Sequence, residues 1–112
     1  MKEYLGKLVK VIIDRPLGSK HPSHDFFYPI NYGYIQGTVS GDGEEIDAYI
    51  LGEFEPLEKY VGIVVAIIKR ENDNEDKLVV CKDVIRYNKS QIEDLVEFQE
   101  KFFISSITMF NE

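Results

Sequence analysis

Between Ser40 and Asp47 the chain reads Ser-Gly-Asp-Gly-Glu-Glu-Ile-Asp, four carboxylates in six positions with two glycines that let the backbone turn sharply. Oxygen donors of this kind suit a hard cation such as Mg²⁺, which keeps several waters and takes few carboxylates. A turn that runs into a strand can aim Asp42, Glu44 and Asp47 at one point. The same residues would also make a plain acidic hairpin turn, since carboxylates are common in turns. A calcium loop of the EF-hand kind would have Glu53 in its twelfth position counted from Asp42, but its sixth, which must be a glycine, is Asp47.

A second group is Tyr28-Pro29-Ile30-Asn31-Tyr32-Gly33-Tyr34-Ile35, where phenols recur around a proline that fixes the backbone and a glycine that permits close approach. Phenols donate hydrogen bonds without adding charge; equally, half-buried strand tyrosines often just reach solvent. A third group, Glu71, Asp73, Glu75 and Asp76 before Lys77, has the composition of a solvated turn. His21 and His24 flank Pro22 in a loop, which does not fix them as helical ligands would be fixed. No Gly-x-Ser-x-Gly elbow, Walker loop or dinucleotide fingerprint is present.

These residues must be positioned by a small scaffold. The 112 residues, 44% apolar and 29% charged, fit one domain over 1–112, and self-association is expected to add burial to so small a core. Twenty acidic against thirteen basic side chains give a formal charge of −7, which disfavours nucleic acid as a partner. The apolar stretch from Val61 to Ile68 is far shorter than the ~20 residues of a membrane span, and Met1-Lys2-Glu3-Tyr4-Leu5-Gly6 has no signal-peptide character, so no membrane and a cytoplasmic location are expected. Cys81 stands alone in an apolar run and reads as a core side chain.

Short β-branched or alternating runs predict strands at Leu8–Ile13, Tyr32–Ile35, Ile46–Leu51, Val61–Ile68 and Lys77–Cys81, the last two forming a hairpin with carboxylates at its tip. Alternation puts Asp47 on one face with Tyr49 and Leu51. Ser90-Gln91-Ile92-Glu93 has the form of a capping box, and Ile92, Leu95, Val96, Gln99, Phe102 and Phe103 form a helical stripe with Glu93, Asp94, Glu97 and Glu100 facing water. The fold class expected is mainly β: a small five-stranded OB-like antiparallel barrel with one C-terminal helix.

In content and order, the tyrosine-proline motif from Tyr28, the Asp42-Gly-Glu-Glu-Ile-Asp47 turn and Glu75-Asp76-Lys77-Leu78-Val79 resemble the soluble family I inorganic pyrophosphatases. The resemblance implies an enzyme that hydrolyses pyrophosphate to two orthophosphates with Mg²⁺, Mn²⁺ being the alternative metal. It implies Asp42, Asp47 and Glu75 as metal ligands, with Glu71 a further one if the hairpin is one residue short. Glu44 would be the carboxylate that orients or deprotonates the attacking water, and Lys10, Tyr28, Tyr32 and Lys77 would face phosphate oxygens. The family arginine corresponds to Lys20 by spacing and to Arg15 by its Asp-Arg context. Phe102 and Phe103 stand where the family has a tyrosine and a lysine, and Glu44 where it has an aspartate. A barrel that binds a metal phosphate with little turnover, or a hydrolase of another phosphoanhydride, fits the same residues.

Overall fold

The computed structural model describes residues 1–41, 43–71, 73, 75–84 and 86–110. A single 3₁₀ turn at Lys2–Tyr4 leads into β1 (Leu8–Arg15), β2 (Asn31–Ile35), β3 (Ile46–Ile50), β4 (Lys59–Arg70), β5 (Lys77–Cys81), α1 (Lys89–Glu100) and β6 (Ser105–Met109). The sheet order is β1-β2-β3-β5-β4, and β1 also pairs with β4, so five strands close into a barrel. Closure removes the open edges that so short a sheet would otherwise present. The pairs are antiparallel except β3 with β5, which run parallel.

β4 is long enough to serve two neighbours. Lys59 to Ile63 pair with β1, and beyond an irregularity at Val64/Ala66 the stretch Ala66 to Arg70 pairs with β6. The strand β6 was absent from the sequence expectation: Ser105-Ser106-Ile107-Thr108-Met109 carries little apolar alternation, and its pairing depends on a β4 edge supplied from far away in the chain.

Two apolar layers explain why β3 after Asp47 and β5 after Lys77 are apolar on both faces. Val11, Ile13, Ile35, Ile46, Ala48, Ile50, Val64, Ile67, Leu78 and Val80 fill the barrel. On its outside, Tyr28, Tyr32, Tyr49, Leu51, Ile68, Val79 and Cys81 pack beneath Ile92 and Val96 of the helix. Strands buried on both faces lose the in-out alternation of a half-exposed sheet. Cys81 is fully buried in the outer layer.

The helix corrects two details. It is capped by Asn88, whose side chain accepts from the Gln91 amide at 2.8 Å while Gln91 Oε1 accepts from the Asn88 amide at 2.9 Å. Asn88 has extended backbone, so the helix starts one residue before Ser90, and the Ser90–Glu93 box is not the one used. Glu100 does not face water but is 6% exposed, for a reason given by its partner, Arg70. No helix among the described residues is long and apolar enough to cross a membrane.

Candidate active site

On each strand under the helix, alternation carries the outer face from apolar positions into polar ones. Tyr49 and Leu51 continue to Asp47, Val79 and Cys81 to Lys77, and Ile68 to Arg70. Parallel pairing of β3 with β5 sets Asp47 opposite Lys77, and antiparallel pairing of β4 with β5 sets Ile68 opposite Lys77. Asp47, Lys77 and Arg70 therefore meet at one end of the barrel. From β1 a bulge adds to them: Ile13 pairs with Gly33 and Arg15 with Tyr32, leaving Asp14 extra. Consecutive residues of a regular strand point to opposite faces, but here Asp14 and Arg15 line the same cavity.

Lys77 is the hub. Its Nζ, buried with the rest of the side chain, donates to Asp47 Oδ2 at 2.6 Å, to the Tyr32 hydroxyl at 2.9 Å and to Glu75 Oε1. The Tyr32 hydroxyl donates to Asp47 Oδ2 at 2.8 Å. Burial pushes the Asp47 carboxyl up, but its hydrogen bond with Glu75 and the neighbouring ammonium outweigh this and hold it below the usual range. Burial, then its interaction with Asp47, pushes Glu75 up. The two carboxyls thus stand side by side, a crowding that a bound cation would relieve.

A second polar chain runs beneath. Arg70 donates from Nε to Glu100 Oε1 at 3.1 Å and from Nη2 to Oε2 at 2.7 Å, while Nη1 reaches Asp73 at 3.3 Å and Glu75 at 3.8 Å. Tyr49 donates to Glu100 at 2.6 Å, Gln99 Nε2 donates to the Tyr49 hydroxyl at 2.7 Å, and the Tyr28 hydroxyl donates to Gln99 Oε1 at 3.0 Å. Burial raises Tyr28 to about 12, against the pull of Arg15 beside it, so its phenol stays a neutral donor. Burial and the Glu100 charge likewise hold Tyr49 protonated.

These groups surround a cavity of about 330 Å³ lined by Asp14, Arg15, His21, Pro22, His24, Tyr28, Tyr32, Asp47, Arg70, Glu75, Lys77, Gln99, Phe102 and Phe103. Its lining holds three carboxylates and three strong cations, so it is balanced rather than acidic. A neighbouring cavity of about 340 Å³ shares Asp14 and Asp47 and adds Tyr34, Glu44 and Glu45.

Of the residues expected from sequence, Asp47, Glu75, Lys77, Tyr32, Tyr28 and Arg15 come together in the first cavity, and Glu44 opens into the second. Asp42 lies outside the described residues. Lys10 is exposed on the outer face of β1, Lys20 is exposed and paired with Asp25 at 3.6 Å, and Glu71 is exposed; none of the three lines either cavity. Among the described residues no three His, Cys, Asp or Glu side chains stand close enough together to cage an ion on their own. Asp47 and Glu75, which both bind the Lys77 ammonium, and Asp14, which lines the same cavity, nonetheless have the hard-oxygen chemistry a divalent ion prefers.

Arg70, Gln99, Glu100, Tyr49 and Asp14 were not anticipated. A signal existed for two of them: Arg70 follows Ile68 by two and Glu100 follows Val96 by four, so both continue buried stripes.

The sequence profile of a family described as inorganic pyrophosphatase matches residues 3–112. The chain is 29% identical over 76 residues to the inorganic pyrophosphatase of Campylobacter jejuni, covering 62% of this chain and 40% of that protein. It is 34% identical over 80 residues to that of Buchnera aphidicola, covering 66% of this chain and 44% of that one. The matched segment thus spans less than half the length of these curated relatives. Among solved structures, the inorganic pyrophosphatase from Ehrlichia chaffeensis aligns with a TM-score of 0.72 at 18% identity, covering 96% of this chain and 88% of that one. The one from Neisseria gonorrhoeae gives 0.67 at 19% identity, covering 95% and 84%. At such identities the likeness establishes the fold: a mainly β chain with a closed five-stranded barrel and one helix.

Proposed function

Because the chain belongs to the inorganic pyrophosphatase family, whose profile covers residues 3–112, we propose that it hydrolyses pyrophosphate to two orthophosphates with Mg²⁺, Mn²⁺ serving as a substitute. The family is metal-dependent. The observation that carries the reading is one cavity in which a buried ammonium, Lys77, is held by two carboxylates, Asp47 and Glu75, with Arg15 lining the same cavity.

Asp47 and Glu75, with Asp14 lining the same cavity, would hold the metal, and Asp42, which the family resemblance implies as a further ligand, lies outside the described residues. When bound, a divalent cation screens the diphosphate from these carboxylates and polarises water toward attack. Arg15, Lys77, Tyr28 and Tyr32 offer donors to phosphate oxygens, and because Asp47 and Glu75 already hold Lys77, its ammonium needs little reorganisation as charge grows on the departing phosphate. Tyr28 stays protonated through the neutral range and binds without adding charge. Glu44, which opens into the adjoining cavity, would orient or deprotonate the attacking water.

Purified protein with millimolar Mg²⁺ is expected to release orthophosphate from pyrophosphate, and chelation to abolish it. Asp47→Asn should lower kcat by roughly a hundredfold or more, the order seen when one preorganised electrostatic contact is lost. Absence of orthophosphate from the unaltered protein would sink the proposal.

A second reading has its own observation. The cavity mouth is aromatic, with His24 stacked on Phe102 at 5.1 Å and Phe102 half exposed, a surface that suits the organic part of a larger phosphoanhydride. A substrate panel that ranks a nucleoside diphosphate above pyrophosphate would favour it.

A further inference from the structure

We propose that Arg70 is a built-in cation of this centre: its guanidinium neutralises the Asp73 and Glu75 flank, so the site takes up divalent ions less readily than its carboxylates alone would. The inference rests on the metal-dependent reading above and concerns a residue outside the roles assigned there.

Arg70 closes β4 and is 5% exposed. Glu100 grips two of its nitrogens, Tyr49 donates to the same carboxylate, and the Phe103 ring lies 3.6 Å from the guanidinium carbon. This clamp holds the guanidinium plane in one orientation, which the flexible stem of a lysine would not allow. Its free edge, Nη1, then faces Asp73 and Glu75. Glu75 is consequently flanked by two protein cations, Lys77 through Oε1 and Arg70 through Oε2.

Glu71, the carboxylate anticipated as a ligand at this end of β4, is exposed and off the cavity, and Arg70 lines the wall instead. A dication drawn to Asp73 or Glu75 therefore meets a fixed positive charge a few ångströms away. That repulsion is felt strongly at a partly buried site and cannot be relieved by swinging the side chain out.

Mn²⁺ binding, followed by electron paramagnetic resonance of the free ion in the absence of pyrophosphate, tests this. Arg70→Met alone would leave Glu100 buried and unpaired and could unfold the chain. The double variant Arg70→Met, Glu100→Gln removes both charges at once, leaves the net charge unchanged and carries the test alongside circular dichroism. The folded double variant is expected to bind Mn²⁺ roughly threefold more tightly, or with an additional ion, because of the two charges removed it is the positive one that touches Asp73 and Glu75. Arg70→Lys, which keeps the charge but loses the clamped fork, should fall between the unaltered protein and the double variant. Unchanged Mn²⁺ stoichiometry and affinity in the double variant would overturn the assignment. Phosphate release is read separately: Mn²⁺ binding in the expected pattern without any orthophosphate would defeat the activity and leave the role of Arg70 standing.

Discussion

A lysine ammonium out of water is costly unless every proton finds an acceptor, and Lys77 meets that demand with Asp47, Tyr32 and Glu75. Each of these is a residue that the family resemblance implied, carried by the acidic turn, the tyrosine-proline run and the Glu75-Asp76-Lys77 segment, which are local patterns. The choice between Arg15 and Lys20 was not local. Spacing favoured one and context the other, and it is the β1 bulge that turns Arg15 to the cavity while Lys20 pairs outside it with an almost fully exposed Asp25. Arg15→Ala should therefore raise KM for pyrophosphate by roughly ten- to a hundredfold, the range of a lost charge-assisted hydrogen bond. Lys20→Ala should leave it within about twofold, as expected of an exposed pair. Steady-state kinetics reporting the opposite order would reassign the cation.

At the scale of elements, the loop between β1 and β2 folds over the site through its histidines. His21 Nδ1 accepts from the amides of Ser23 at 3.0 Å and His24 at 3.1 Å, which requires the lone pair of a neutral ring. Burial, then the nearby His24 and Arg15, hold its pKa below the ordinary 6.5. The folded loop thus binds this proton less readily than the unfolded chain. The stability it contributes is intact above about 6.5 and is lost as the pH falls through the lower folded value. Histidine ring signals followed by NMR should give a His21 midpoint under 6.5, with the Ser23 and His24 amides shifting at the same pH; a midpoint above 6.5 would break the link. The helix shows a different lesson. Its period was legible, but Glu100 was assigned to water by its charge, although its spacing from Val96 continues the buried stripe; only a guanidinium brought from β4 makes that burial affordable.

For the whole molecule, barrel closure decides what is reachable. Where β1 crosses β2, a Cβ on Gly33 would lie 1.9 Å from the Ile12 carbonyl oxygen, a backbone atom that cannot step aside. Gly33→Ala should cost about 2 kcal/mol or more, toward the upper end of overpacking penalties, and lower the denaturant midpoint accordingly. A midpoint unchanged within error would mean that the two strands can part there. By itself, the order of residues determined the five barrel strands and the single helix, since periodicity and turn chemistry act over a few neighbours, while the residues of the polar hub were legible through the family resemblance of their motifs. Tertiary structure alone decided the sixth strand, the Asp14–Arg15 bulge and the Arg70–Glu100 pair that seals the floor of the site. Each of these depends on two segments distant in the chain, whose charges and hydrogen-bonding edges have no meaning until the barrel brings them face to face.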